Sequence, residues 1–306
     1  MIRLDGQSLT AVKLASIAAG APVELDGSAL ARVVENRKVI DRILAEGRTV
    51  YGINTGFGQF ATVVIPPSQL AQLQLNLVRS HAAGVGTPIP QDQTRALMAA
   101  RINCLLKGYS GIRPEPIQLL AQCLNQGILP VIPSQGSVGA SGDLAPLAHM
   151  ALLLVGEGLA WDGDRHIPGG EALRKAGLAP IQLQPKEGLA LINGTQLITS
   201  LGNLAVARLQ ELIPLADEIA ALSLEALRGT RAAFDPRIHE ARPHPGQIEA
   251  AAHMREILGT TSEIAESHRN CARVQDAYSL RCLPQVHGVT RDALKFAAEI
   301  LERELN

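Results

Sequence analysis

Apolar residues recur along this chain at the three-to-four spacing of a single helix face, and most segments with that spacing are closed by glycine. The longest runs from Gln196 to Arg228, where Leu212, Leu215, Ile219, Leu222 and Ala226 hold one stripe, Pro214 predicts a kink and Gly229 an end. Shorter helices are predicted over Leu9–Ala19 and over Leu30–Ala45, the second with Ser28 as N-cap and Gly47 just past its end. Pro66, Pro67 and Ser68 announce another, with Leu70, Leu73, Leu77 and His81 in line. The same reading gives helices from about Gln93 to Leu106, Pro116 to Gln126, Leu144 to Val155, Gln247 to Leu258 and Thr290 to Leu305. Strand signals are few: Ile2 and Leu4, the extended-looking Thr49 to Tyr51, and hairpin composition in WDGDRHIPGG from Trp161. Phe234 to Gly246, rich in proline and histidine, reads as an irregular connection. The class is mainly α. Composition agrees, because a chain 46% hydrophobic but 3% aromatic must build its core from Leu, Ala, Val and Ile.

Net charge is −1, with cations and anions interleaved, so there is no electrostatic footprint for nucleic acid. The longest apolar run, Ala145 to Val155, is interrupted by His149 and is too short to span a bilayer. Met1 to Asp5 shows no signal-peptide pattern, and Cys104, Cys123, Cys271 and Cys282 form no CxxC; both point to a cytoplasmic protein with reduced thiols. Generic catalytic motifs fail on their geometry. Gly139-Ala140-Ser141-Gly142 brushes against GxSxG but continues with Asp143 and follows a proline-rich, poor strand. Gly52 to Gly58 lacks the GK[ST] ending of a phosphate loop. His239-Glu240 with His244 misses the i+4 spacing of a zinc helix and contains Pro243. Neither metal nor nucleotide is expected.

The run GSVGASGDLAPLAHM, Gly136 to Met150, packs three glycines and two serines into its first seven positions. Residues this small permit backbone conformations and approaches that side chains forbid. Asp143 then suits the first turn of the helix that follows. A glycine-rich cap would account for that much.

Four further stretches change the reading: YGINTGFG at 51, RSHAAGVG at 79, LINGTQ at 191 and VQDAYSLRCLPQVHG at 274. Together with the central run, and in this order, they resemble the aromatic amino-acid ammonia-lyases, in particular the histidine-specific members. The resemblance covers nearly the whole chain. It implies that Ala140, Ser141 and Gly142 cyclise without any enzyme, the Gly142 nitrogen attacking the Ala140 carbonyl, to give methylidene-imidazolone (MIO), a strong electrophile. Such a group answers a chemical difficulty, since ammonia leaves poorly and a β-hydrogen of histidine is weakly acidic. The implied reaction is non-oxidative deamination of L-histidine to trans-urocanate and ammonia, a step of histidine catabolism.

The resemblance also assigns residues. Tyr51 matches the general base, and Tyr278 stands with it among the catalytic positions. His81, preceded by Ser80 in the form found in histidine-specific members, would meet the substrate imidazole. Asn193 would lie close to the ring and the substrate amine, Gln275 belongs with Tyr278 to a second cluster, and Arg281 is the natural partner of the carboxylate. Tyrosine or phenylalanine lyase and aminomutase activities are the neighbouring alternatives within the family.

Relatives of this type are considerably longer than 306 residues. The implied architecture is a fumarase/aspartase-like helical bundle with a smaller mixed N-terminal region. In that reading residues 1–195 carry the MIO loop and 196–306 form the first part of the bundle, the remainder being absent. Such enzymes are homotetramers acting on a small amino acid, with no membrane or nucleic-acid partner. A catalytically incomplete fragment is therefore the second expectation.

Overall fold

The computed structural model describes residues 1–138 and 142–306. The chain is mainly helical and divides into two compact units, Met1–Leu204 with Leu301–Asn306, and Ala205–Ile300.

In the first unit β1 (Ile2–Leu4) pairs in parallel with β2 (Val23–Leu25) around α1 (Ala11–Ala18). Next come α2 (Gly27–Ala45), α3 (Leu70–His81), α4 (Gln91–Leu105), α5 (Pro114–Gln126), α6 (Leu144–Leu154), α7 (Gly169–Lys175) and α8 (Glu187–Ile192). Two short antiparallel pairs complete it, β3 (Val85–Pro88) with β4 (Pro133–Gln135) and β5 (Leu159–Asp162) with β6 (Arg165–Pro168). The second pair is the expected hairpin. Two long helices, α9 (Gln196–Ala226) and α14 (Leu283–Leu305), contribute residues to both units. No described helix is long and apolar enough to cross a membrane.

The core of the first unit forms around α4, which is buried on nearly every side from Ala96 to Ile102. A helix apolar all round can only be a central one. Its few polar residues serve backbone groups elsewhere. Arg95 donates to the carbonyls of Ile17 and Leu124, in the last turns of α1 and α5, and Asn103 accepts from Gly6 N–H and donates to Leu305 O, both at 2.8 Å. Helix C-termini leave carbonyls without intrahelical partners, and the half-buried Arg95 fork reaches carbonyls at two of them at once.

The second unit contains α10 (Pro236–Glu240), α11 (Pro245–Leu258), α12 (Glu263–Ser267) and α13 (Tyr278–Arg281). Phe234, Met254, Leu258, Ala221, Leu224 and Leu280 form its apolar cluster. Helices α11 and α14 meet backbone to backbone, since a Cβ on Gly288 would lie 2.5 Å from Gln247 N.

Several local expectations change. Asp26, not Ser28, caps α2: its carboxylate accepts from Ala29 N–H at 2.8 Å, and Ser28 sits inside the helix donating to it. Thr49 to Tyr51 form no strand; Val50 N–H is taken by the Asn54 side chain at 2.8 Å. Residues 234–246 are not wholly irregular, because Asp235 and Pro236 open α10 and Pro245 opens α11. Pro284 is accommodated in the first turn of α14, which begins at Leu283 rather than near Thr290. Finally, Leu212, Leu215, Ile219 and Leu222 are exposed, and it is Asp217, Ala221 and Leu224 on the same helix that are buried.

Candidate active site

Gly139, Ala140 and Ser141 lie outside the described residues, which resume on either side at Val138 and at Gly142, the last member of the triplet. Val138 N–H donates to Gly142 O at 3.1 Å, so the two ends of the segment are hydrogen-bonded to each other. Gly142 has φ 71°, a left-handed conformation that glycine adopts at little cost. It forms a parallel bridge with Gly194, and Asp143 N–H donates to Gly194 O at 2.9 Å.

Asp143 differs from its expected role. It precedes α6, yet its side chain makes no cap hydrogen bond there. Its Oδ2 instead accepts from Leu197 N–H (2.7 Å) and Ile198 N–H (3.0 Å), in the first turn of α9. The carboxylate thus sits at the positive end of a long helix distant in sequence. Its Oδ1 is buried and has no partner among the described residues.

Four of the five motif stretches are tied together within the first unit. β3 and β4 join the segment after His81 to the segment before Gly136, and a Cβ on Gly136 would approach Gly84 Cα to 3.2 Å. Gly84 N–H donates to His149 Nε2 at 3.1 Å; burial pushes the His149 imidazole down, which favours the neutral acceptor form. Buried Gln74 on α3 accepts through Oε1 from Gly188 N–H at 2.9 Å and Leu189 N–H at 3.3 Å, capping α8. Gly52, next to Tyr51, packs on the same helix, where a Cβ would lie 2.6 Å from Leu189 Cδ2.

His81 closes α3, with Nδ1 2.9 Å from Leu77 O and 3.1 Å from Ser80 Oγ. Donation to the carbonyl places a hydrogen on Nδ1, so in the neutral imidazole Nε2 is the acceptor. Asn193 caps the C-terminus of α8 in extended conformation and is exposed. Tyr51 is also exposed, its ring edge-on to Phe57 at 6.1 Å between centroids.

The remaining stretch belongs to the second unit. Gln275, Tyr278 and Arg281 line one cleft of about 330 Å³. Tyr278 and Arg281 begin and end α13, Gln275 stands outside it, and the Arg281 guanidinium lies over the Tyr278 ring at 5.5 Å.

A charged cluster elsewhere in this unit had no sequence signal. Asp217 on α9 is fully buried and accepts from His253 Nδ1 (2.7 Å), His287 Nδ1 (2.6 Å) and Arg291 Nη2 (2.6 Å). Burial alone would raise its pKa, but the donors His287, His253 and Arg291 outweigh burial and hold it below the usual carboxylate value. A carboxyl lowered on folding contributes stability that is complete above its unfolded pKa, about 3.9, and is lost as pH falls through the folded value. Chemical denaturation should therefore show the second unit weakening below about pH 4. Asp217→Asn should cost about 3–5 kcal/mol near neutral pH, because it takes the buried charged partner from the Arg291 guanidinium, which keeps only the exposed Glu249. Full stability of that variant would show the cluster to be energetically idle.

His239, dismissed above as a zinc ligand, is buried with its ring nitrogens 3.0 Å from Ala233 O and from Gln247 Nε2. No His, Cys, Asp and Glu cluster suited to a metal occurs among the described residues.

Comparison with known proteins decides the family. The family model described as aromatic amino acid lyase matches residues 9–306. The chain belongs to the aromatic amino acid lyase family. Among curated relatives of this family, it is 51% identical to a histidine ammonia-lyase of Koribacter versatilis over all of its own length and 59% of the relative's. It is 52% identical to a histidine ammonia-lyase of Homo sapiens, again over its whole length and 47% of the relative's. The chain thus spans roughly half the length of the curated relatives it matches. Among solved structures, histidine ammonia-lyase from Trypanosoma cruzi superposes with TM-score 0.89 and 44% identity, over 99% of this chain and 57% of that one. Pantoea agglomerans phenylalanine aminomutase gives TM-score 0.94 and 34% identity, over 100% and 62%.

Proposed function

We propose that this chain is an MIO-dependent histidine ammonia-lyase, deaminating L-histidine to trans-urocanate and ammonia. The observation that carries this is the pairing of Gly142 with Gly194, which puts the residue after Ala140-Ser141 beside the residue after Asn193. The described surroundings fit a ring at that triplet. Gly142 is left-handed, the bounding residues are hydrogen-bonded to each other, and Asp143 Oδ1 is a buried acceptor with no described partner. Ring closure joins the Gly142 nitrogen to the Ala140 carbonyl carbon, and that oxygen leaves as water with the two amide hydrogens of Ser141 and Gly142. A second water takes the Ser141 hydroxyl and α-hydrogen, so no oxidant is required.

The ring supplies an electrophile that makes the amine a better leaving group. The protein's own residues do the rest. The Tyr51 oxygen takes the β-proton, aided by Tyr278, and Asn193 orients the amine. Arg281, beside Gln275, holds the carboxylate through its fork. The free Nε2 of His81 accepts from the substrate imidazole N–H, the interaction that favours histidine over tyrosine or phenylalanine. Relatives more than 50% identical include histidine ammonia-lyases, which supports the same choice. The working form is a cytoplasmic homotetramer, with residues 1–195 carrying the ring and 196–306 starting the bundle.

Intact mass should show the loss of two waters, and urocanate absorbance should rise faster with histidine than turnover does with tyrosine or phenylalanine. An undehydrated chain, or one faster on tyrosine, would overturn the assignment. Dehydration without turnover would leave the chain the ring-forming part alone.

A further inference from the structure

We propose that Arg101 is a positioning residue for the ring and for Asn193, acting through the turn between α8 and α9. The inference rests on the function proposed above and adds a residue to it.

Arg101 belongs to α4, in the middle of the first unit's core, and is 2% exposed. Its guanidinium reaches the last turn of α8 and the first of α9. Nη2 donates to Ala190 O and, at 3.0 Å, to Asn193 O; Nη1 donates to Gln196 Oε1. These are the carbonyls that the end of α8 leaves unpaired, and the fork binds them together with the first residue of α9. The turn Asn193-Gly194-Thr195 is clamped between them.

Gly194 is shaped by this clamp. A Cβ at that position would overlap both Gln196 Oε1 and Arg101 Nη1, so the guanidinium enters space that only glycine leaves open. The other side of Gly194 meets Gly142 and accepts from Asp143 N–H. Arg101 therefore holds the turn whose Gly194 pairs with Gly142, the last residue of the triplet. It also fixes the backbone from which the Asn193 side chain projects.

The energetics argue against a merely structural role. Arg101 makes no direct ion pair among its hydrogen bonds, and its Nε has no partner among the described residues. Burial pushes the guanidinium down, opposed by the nearby Asp143 carboxylate. Burial and the Arg101 charge likewise push down Lys186 at the start of α8. An apolar residue would fill this part of the core without the desolvation cost of a buried cation. A fork able to hold three acceptors across two helix ends is what arginine adds.

The test compares Arg101→Lys, which keeps the charge and loses the fork, with Gln196→Ala, which removes one acceptor and no charge. Both are made in the full chain and refolded from denaturant. Amide hydrogen exchange at Asp143 and the 193–198 segment should accelerate at least tenfold in Arg101→Lys and less in Gln196→Ala, with far-UV dichroism unchanged. The dehydration rate by intact mass should fall in the same order, and in the active protein kcat should fall with little change in KM. Parent-like exchange and dehydration in a folded Arg101→Lys would overturn the proposal. If Arg101→Lys does not fold, Gln196→Ala decides, and parent-like exchange there would overturn it. A parent chain that never dehydrates would defeat the functional reading instead, while exchange at Asp143 would still report whether Arg101 clamps the turn.

Discussion

Replacing Tyr51 with phenylalanine is expected to lower urocanate formation by about 10²–10⁴-fold, the range associated with losing a positioned acid or base. The fold should not notice. Tyr51 is 55% exposed, and its ring meets Phe57 only edge-on, so removing one hydroxyl should shift stability by less than about 0.5 kcal/mol. Steady-state rates and a thermal melt on the same preparation check both halves of this expectation. Dehydration of the triplet should match the parent's in the variant, since the role proposed for Tyr51 is to accept a substrate proton and has no part in making the ring. Near-parental turnover would remove Tyr51 from the mechanism.

The second large effect is expected from Gly194→Ala, and it falls on stability before activity. The added methyl overlaps Arg101 Nη1 and Gln196 Oε1, the far ends of two side chains, so both must shift. A shift that costs the buried guanidinium a hydrogen bond to Ala190, Asn193 or Gln196 leaves a charged donor unmet, a defect of about 1.5–3 kcal/mol. Urea titration should show this loss with an unchanged slope. A midpoint equal to the parent's would mean that the α8–α9 turn relaxes around the methyl. Loss of dehydration in whatever fraction folds would link the Gly142–Gly194 bridge to ring formation.

The helical class, the positions of most helices and the family were legible in the sequence, and the reasons are local. Periodicity at 3.6 residues reports which face is buried, and glycines such as Gly47 and Gly127 mark where a helix must stop. What escaped was set by distant partners. Asp143 looks like a cap for the helix beside it, but its carboxylate serves amides 54 and 55 residues away. Arg101 reads as one cation in an otherwise buried helix until Asn193 and Gln196 arrive at its fork. Asp217 lies on the face of α9 opposite the expected stripe, and only its neighbours on α11 and α14 explain why an anion is buried there. The stripe from Leu212 to Leu222 misled for the opposite reason: spacing identifies an apolar face but not whether anything covers it.

The sequence distance spanned by Asp143 bears on when, during synthesis, the triplet segment can be shaped. A nascent chain that has not yet emerged from the ribosome past Ile198 has no amides to offer Asp143 Oδ2, and without Gly194 the bridge to Gly142 has no second strand. Contacts of such separation form late in folding because loop closure precedes their reward. Translation itself therefore sets an order: the hydrogen bonds of Asp143 and the bridge from Gly142 to Gly194 can close only after α6, α7, α8 and the start of α9 have been made.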